Sequence, residues 1–139
     1  KPSVQTIANA MDVGNPSNFA RVLDLYGHSH AAICNDITCY SYNDEQIAET
    51  LAATYADNHY LLDPHGACGY RSLCEGLRPD EVGVFLETAH PAKFKETVEG
   101  IIGSEVSIPL RLQEFMKGEK ETIKISNDFR DFKKLLLSF

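Results

Sequence analysis

Residues 81–94 read Glu81-Val82-Gly83-Val84-Phe85-Leu86-Glu87-Thr88-Ala89-His90-Pro91-Ala92-Lys93-Phe94, and this stretch decides the fold. Its first part, Glu81 to Leu86, is a brief and mostly apolar run of the kind that buried strands show. The chain then turns polar and meets Pro91, whose missing N–H and fixed φ suit the first turn of a helix. From Phe94 onward, Val98, Ile101 and Ile102 recur at helical spacing and form the stripe such a helix would bury. The stretch therefore reads as a strand handing over to a helix.

The same arrangement recurs upstream. Tyr60-Leu61-Leu62 is a short extended segment running into Asp63-Pro64-His65-Gly66-Ala67, with Asp63 placed to cap and Pro64 at the first helical position. That helix is expected from Pro64 to Glu75, ending near Gly76. Before it, Asn43 and Gln46 stand at capping-box spacing and open an amphipathic helix with Ile47, Leu51 and Tyr55 on one face, flanked by Ala48 and Ala52. Ile37 to Tyr42 leans toward β structure, and Asn15-Pro16-Ser17 starts a first helix over Ser17 to Tyr26. Downstream, Ser107-Ile108-Pro109 begins a weaker helix through Met116 that Gly118 closes, and Phe129, Phe132, Leu135 and Leu136 predict a terminal one. Strands and helices in alternation predict an α/β fold: a helix-rich three-layer arrangement with a small, mostly parallel sheet. Two or three strands are few for a self-contained sheet, and the chain opens without Met in a polar loop. We therefore expect a piece of a longer protein, with no domain boundary inside residues 1–139.

The 139 residues carry 13 basic and 20 acidic side chains, a formal net charge of −7. Such an acid excess disfavours general binding to nucleic acid or anionic membranes, which needs clustered Lys and Arg. A small anionic substrate in a locally positive pocket remains compatible with it. No run approaches the roughly 20 apolar residues of a membrane span, and Lys1-Pro2-Ser3-Val4 lacks the apolar core of a secretion signal. A soluble, cytoplasmic protein is expected. Cys34, Cys39, Cys68 and Cys74 accordingly read as reduced, buried thiols. His28, His30, Cys34 and Cys39 contain zinc-competent atoms, yet their spacing fits neither paired CxxC nor HExxH, so no metal site is expected. A small metal-binding module built on those four is the alternative from a different functional class.

In open α/β sheets, ligands gather where strand ends meet helix N-termini, because unpaired N–H groups and the helix dipole converge there. Two junctions qualify: Asp63 to Ala67, and Thr88 to Phe94. Thr88 has a hydroxyl to offer a cleft, or to spend on a helix cap. His65 and His90 have an imidazole to offer, or to bond to nearby backbone. Lys93 falls in the first helical turn and points to solvent; a Schiff-base role would require a desolvated pocket that lowers its pKa. Gly66, Gly69 and Gly76 form no phosphate-cradling motif, and no serine-hydrolase elbow is present. Asp12 with Asn15, and the pair Asp80-Glu81, have the residue types for acid and base but read as solvated faces.

The segments Ala10-Met11-Asp12-Val13-Gly14-Asn15-Pro16-Ser17-Asn18, Asp63-Pro64-His65-Gly66-Ala67 and Phe85 to Phe94, in this order and separation, resemble the C-terminal third of threonine synthase. The ending from Asp128-Phe129-Arg130 through Leu137 resembles that family's terminal helix. Thr-Ala-His-Pro-Ala-Lys-Phe, residues 88–94, is the most specific string. The resemblance implies a fold type II enzyme dependent on pyridoxal 5'-phosphate that converts O-phospho-L-homoserine and water to L-threonine and phosphate. In that family a lysine holds the cofactor as an imine, and a glycine- and asparagine-rich loop holds its phosphate, both upstream of the part matched here. Neither motif occurs in these residues, so the chain alone is expected neither to bind the cofactor nor to catalyse the reaction, and no catalytic residue is assigned within it. Thr88 matches the residue that hydrogen-bonds the pyridine nitrogen of the cofactor. His65 and His90 match positions on the rim of the same cleft, without a chemical step assigned. Lys93 is not the imine lysine, because it belongs to a different motif. A fold type II amino-acid dehydratase is a neighbouring alternative, since Ser, Thr or Cys serves the ring nitrogen there; the full string favours the synthase. Apolar surface facing a missing portion is expected to promote self-association.

Overall fold

The computed structural model describes residues 2–9 and 13–139. The chain divides into two compact units, Lys1–Ser107 and Ile108–Phe139. The first unit contains α1 (Phe19–Leu25), α2 (His30–Asp36), α3 (Asp44–Asn58), α4 (Pro64–Gly76), a 3-10 turn (Pro91–Phe94) and α5 (Lys95–Ile102).

Helix α3 begins as its sequence requires. Gln46 N–H donates to Asn43 Oδ1 at 2.9 Å and Asn43 N–H donates to Gln46 Oε1 at 3.0 Å, so two N–H groups that the helix start would orphan are satisfied reciprocally. The helix ends at His59, which takes a left-handed φ of 53°. It buries Ile47, Leu51 and Thr54, and Tyr55 is left only half-buried. Thr54 is tolerated in the core because its hydroxyl donates to the Thr50 carbonyl at 2.8 Å. Ile47 and Leu51 join Leu62, Ala67, Val98 and Val106 in one cluster, where α3 packs against α4 and α5. Asp63 caps α4, its Oδ1 accepting the His65 N–H at 2.7 Å, and Pro64 occupies the first turn. Helix α2 was not anticipated; its signal is Ser29, whose hydroxyl accepts the Ala32 N–H at 3.3 Å.

The expected small parallel sheet, and with it the three-layer α/β arrangement, is corrected. Among the described residues there is no strand. The runs at 37–42, 60–62 and 81–86 are extended but unpaired, and a strand exists only where a neighbour exchanges backbone hydrogen bonds with it. What survives of the β reading is the period-two alternation. Along the segment before the 3-10 turn, Gly83, Phe85, Glu87 and Ala89 are partly buried. Between them Val82, Val84 and Leu86 stay 96%, 82% and 78% exposed. The inward side seats on α4: Phe85 meets Tyr70 with ring centroids 5.5 Å apart. Gly66 is a close-approach glycine, since a Cβ there would collide with the Glu87 carboxyl group.

The second unit holds α6 (Leu110–Met116) and α7 (Phe129–Leu136). Asp128 caps α7, its Oδ1 accepting the Arg130 N–H at 2.7 Å, while Lys133 and Lys134 in the last turn complement the helix dipole. Among the described residues no helix is long and apolar enough to cross a membrane.

Replacing Asn43 by Ala should lower the unfolding free energy by about 1 kcal/mol in urea titration, since both capping-box bonds are lost or weakened; an unchanged midpoint contradicts that role. Gly66→Ala should destabilise by about 1–3 kcal/mol through overpacking against Glu87, although Ala alone favours helix by about 1 kcal/mol. A stabilised Gly66→Ala protein contradicts the close approach.

Candidate functional site

The two junctions singled out from sequence come together through Glu87, a residue that sequence reasoning passed over. Its Oε1 accepts the backbone N–H of Asp63 at 2.7 Å, tying the extended segment to the residue that caps α4 across 24 positions of sequence. Asp63 is fully buried. Its Oδ1 accepts the His65 N–H and also lies 3.1 Å from His65 Nδ1. The His65 ring in turn leans on Phe94 with centroids 5.3 Å apart and planes tilted by 54°. One compact set of contacts thus joins the start of α4, the extended segment and the 3-10 turn.

The electrostatics at its centre are unusual. Asp63 Oδ2 and Glu87 Oε2 are both buried without a hydrogen-bond partner among the described residues. Burial pushes the Glu87 carboxyl up to about 7; the Asp63 N–H it accepts pulls the other way, and the neighbouring Asp63 carboxylate adds to the push. Glu87 is therefore neutral in mildly acidic solution. Beyond Glu87 lies a cavity of about 320 Å³, lined by Thr54, Asn58, Tyr60, Tyr70, Phe85 and Glu87 itself.

Thr88 does not cap the following helical turn. His90 does so, its Nδ1 accepting the Ala92 N–H at 3.1 Å. Thr88 is exposed, and its hydroxyl makes no hydrogen bond among the described residues. The alternation that turns Glu87 and Ala89 inward turns Thr88 outward, so the hydroxyl is uncommitted. Lys93 is exposed, with its Nζ 5.6 Å from the Phe94 ring centroid.

The other sequence candidates lie apart from this set. Glu81 pairs with Arg78 at the surface. Asp12 lies outside the described residues, while Asn15 is exposed. His30 and Cys34 approach to 3.5 Å between Nε2 and Sγ on one face of α2, and no group of three metal-competent side chains occurs among the described residues. All four cysteines are free, but Cys34, Cys39 and Cys74 are exposed rather than buried, which corrects the expectation from sequence. Cys68 alone is partly covered; burial, reinforced by the Asp63 carboxylate, pushes its thiol up.

Comparison with known proteins assigns the chain to a family. The family model described as "Threonine synthase, C-terminal" matches residues 66–136. Threonine synthase from Haemophilus influenzae is 37% identical over 137 residues, covering 99% of this chain and 32% of the relative. The enzyme from Escherichia coli strain K12 is 35% identical over 138 residues, with 99% and 32% covered. Among solved structures, the crystal structure of threonine synthase from Escherichia coli superposes with a TM-score of 0.72 at 33% identity, covering 99% of this chain and 32% of that one. The PLP-bound threonine synthase from Brucella melitensis gives a TM-score of 0.68 at 24% identity, covering 98% and 34%, a likeness of fold. The chain spans about a third of the length of the curated relatives it matches. By the family match across residues 66–136, the chain belongs to the threonine synthase C-terminal family.

Proposed function

We propose that the chain serves as the C-terminal part of a cytoplasmic threonine synthase. The reaction is the conversion of O-phospho-L-homoserine and water to L-threonine and phosphate with pyridoxal phosphate as cofactor. The observation that carries this reading is the uncommitted hydroxyl of Thr88, exposed beside two helix starts in a chain of this family. It fits the role of partner to a pyridine nitrogen: it has a lone pair and a proton to offer, and no described group competes for either. When bound, the cofactor supplies an electron sink for the bonds broken at the substrate's Cα and Cβ.

The contribution of this chain is to orient and to tune. A hydroxyl at the ring nitrogen leaves the ring less electron-poor than a carboxylate partner would, because a carboxylate holds that nitrogen protonated. His65 and His90 flank the cleft rim. Each has Nδ1 engaged, by Asp63 and by the Ala92 N–H respectively, so each would present only Nε2 to a small anionic substrate. On this reading the cofactor-holding lysine and the phosphate loop belong to the two-thirds of the relatives' length outside the match, and the 139 residues are inactive alone. The outward apolar row Val82, Val84 and Leu86 is then surface that the rest of the enzyme covers, and uncovered it favours self-association.

In the intact enzyme, Thr88→Ala should lower turnover about tenfold, the equivalent of one hydrogen bond at about 1.4 kcal/mol. Thr88→Asp should shift the cofactor absorbance as well. Unchanged spectra and rates in both variants contradict the assignment.

A further inference from the structure

Two buried oxygens demand an account: Asp63 Oδ2 and Glu87 Oε2, neither of which has a hydrogen-bond partner among the described residues. The other oxygen of each carboxyl is engaged. Asp63 Oδ1 takes the His65 N–H at 2.7 Å and lies 3.1 Å from the His65 ring Nδ1, while Glu87 Oε1 takes the Asp63 N–H at 2.7 Å. The Asp63 N–H on Glu87 Oε1 seats the Glu87 carboxyl at the head of α4, on the same residue whose own buried carboxylate caps the helix. If both were ionised, two acceptor-only groups of like charge would face each other out of water, which is doubly unfavourable. A single proton removes both faults, because a neutral carboxyl donates an O–H to a neighbouring carboxylate. Two nitrogens already support negative charge on Asp63 and only one supports it on Glu87, so the proton resides on Glu87 Oε2.

We propose that neutral Glu87 donates a hydrogen bond from Oε2 to Asp63 Oδ2, and that this acid–carboxylate bridge makes Glu87 a positioning residue for Thr88. The missing Cβ of Gly66 leaves the space that the Glu87 carboxyl occupies. With Glu87 pinned inward, the alternation of the extended segment fixes Thr88 outward. The positioning role rests on the reading of Thr88 given above; the bridge does not.

The titratable groups facing Glu87 are Asp63 and His65 at the start of α4, Tyr70 further along α4, and Tyr60 before it; α3 contributes the uncharged Thr54 and Asn58. Among the described residues no cation pairs with Glu87, and His65 is the one ion-pair partner of Asp63. Because the Glu87 carboxyl is raised to about 7, the stability it contributes is fully present below its ordinary value of 4.5 and is lost as pH rises through about 7.

Carbon-13 NMR titration of the glutamate carboxyls of the intact protein tests the bridge directly. Glu87 should titrate near 7, and lower in Asp63→Asn, which keeps a competent helix cap. Thermal unfolding adds a second readout. The melting temperature of the parent protein should fall by about 3–6 °C between pH 5.5 and pH 8.5, values on either side of about 7. Glu87→Gln should hold one melting temperature across that range, because its amide still donates to Asp63 Oδ2 and its carbonyl still accepts from Asp63. Glu87→Ala should be destabilised at both ends. A Glu87 titration in the ordinary carboxylate range, or a Gln variant as unstable as the Ala variant at both pH values, overturns the bridge. With pyridoxal phosphate bound to the intact enzyme, the cofactor spectrum should change in Glu87→Ala and return toward the parent's in Glu87→Gln. A spectrum that responds to Thr88→Ala but not to Glu87→Ala overturns the positioning role. A spectrum insensitive to both overturns the cofactor reading, and the carboxyl titration still decides the bridge.

Discussion

Glu87 Oε1 takes up a backbone N–H at the head of α4 that neither the helix nor a turn satisfies, that of Asp63. Asp63 cannot give this N–H to its own helix, because it is the cap, and Pro64 beside it has none to offer. Burial of Asp63 makes a partner obligatory. The partner comes from an extended segment that has no strand beside it among the described residues, so the hydrogen bond is also what fixes that segment's register on the helices. Phe85 against Tyr70, the space over Gly66 and the outward turn of Thr88 all depend on the same register.

The interaction brings an electrostatic consequence. Seating a carboxyl on the backbone of a buried aspartate places two acids together, and the arrangement is comfortable only while one is neutral. Burial raises the Glu87 carboxyl to about 7 at the wall between the cavity and the cap of α4, whereas ion pairing at the surface acts in the opposite direction on Glu75. Arg71 illustrates the contrast: it holds Glu75 at 2.8 Å and Glu49 at 3.2 Å, and its pull keeps the Glu75 carboxyl low. Such exposed pairs contribute little to stability.

Local signals in the sequence were sufficient where a few adjacent residues settle the structure. The Asn43–Gln46 box, the Asp63-Pro64 start and the helix after Pro91 are each written in three or four residues, and each formed. The sheet did not, because apolar alternation specifies an extended segment with two faces but not the neighbour that would pair with it. Helix α2 was overlooked because its cap, Ser29, precedes a stretch with little hydrophobic periodicity. The site divides in the same way. Thr88 was legible through the string it belongs to, while Glu87, one residue away, drew no reading of its own. Its role depends on a contact 24 residues distant that no local pattern encodes. The run of inward positions 83, 85, 87 and 89 was the available hint, since it places a charged residue on the buried side.

The central claim is that Glu87 locks the extended segment onto the cap of α4. Amide hydrogen exchange at Asp63 in the intact protein tests it most directly, since this N–H lies outside the helix and its acceptor among the described residues is Glu87. We predict protection comparable to the core amides of α3, retained in Glu87→Gln and lost in Glu87→Ala. Exchange at Asp63 as fast as at exposed loop amides in the parent protein, or protection unaffected by Glu87→Ala, would contradict it.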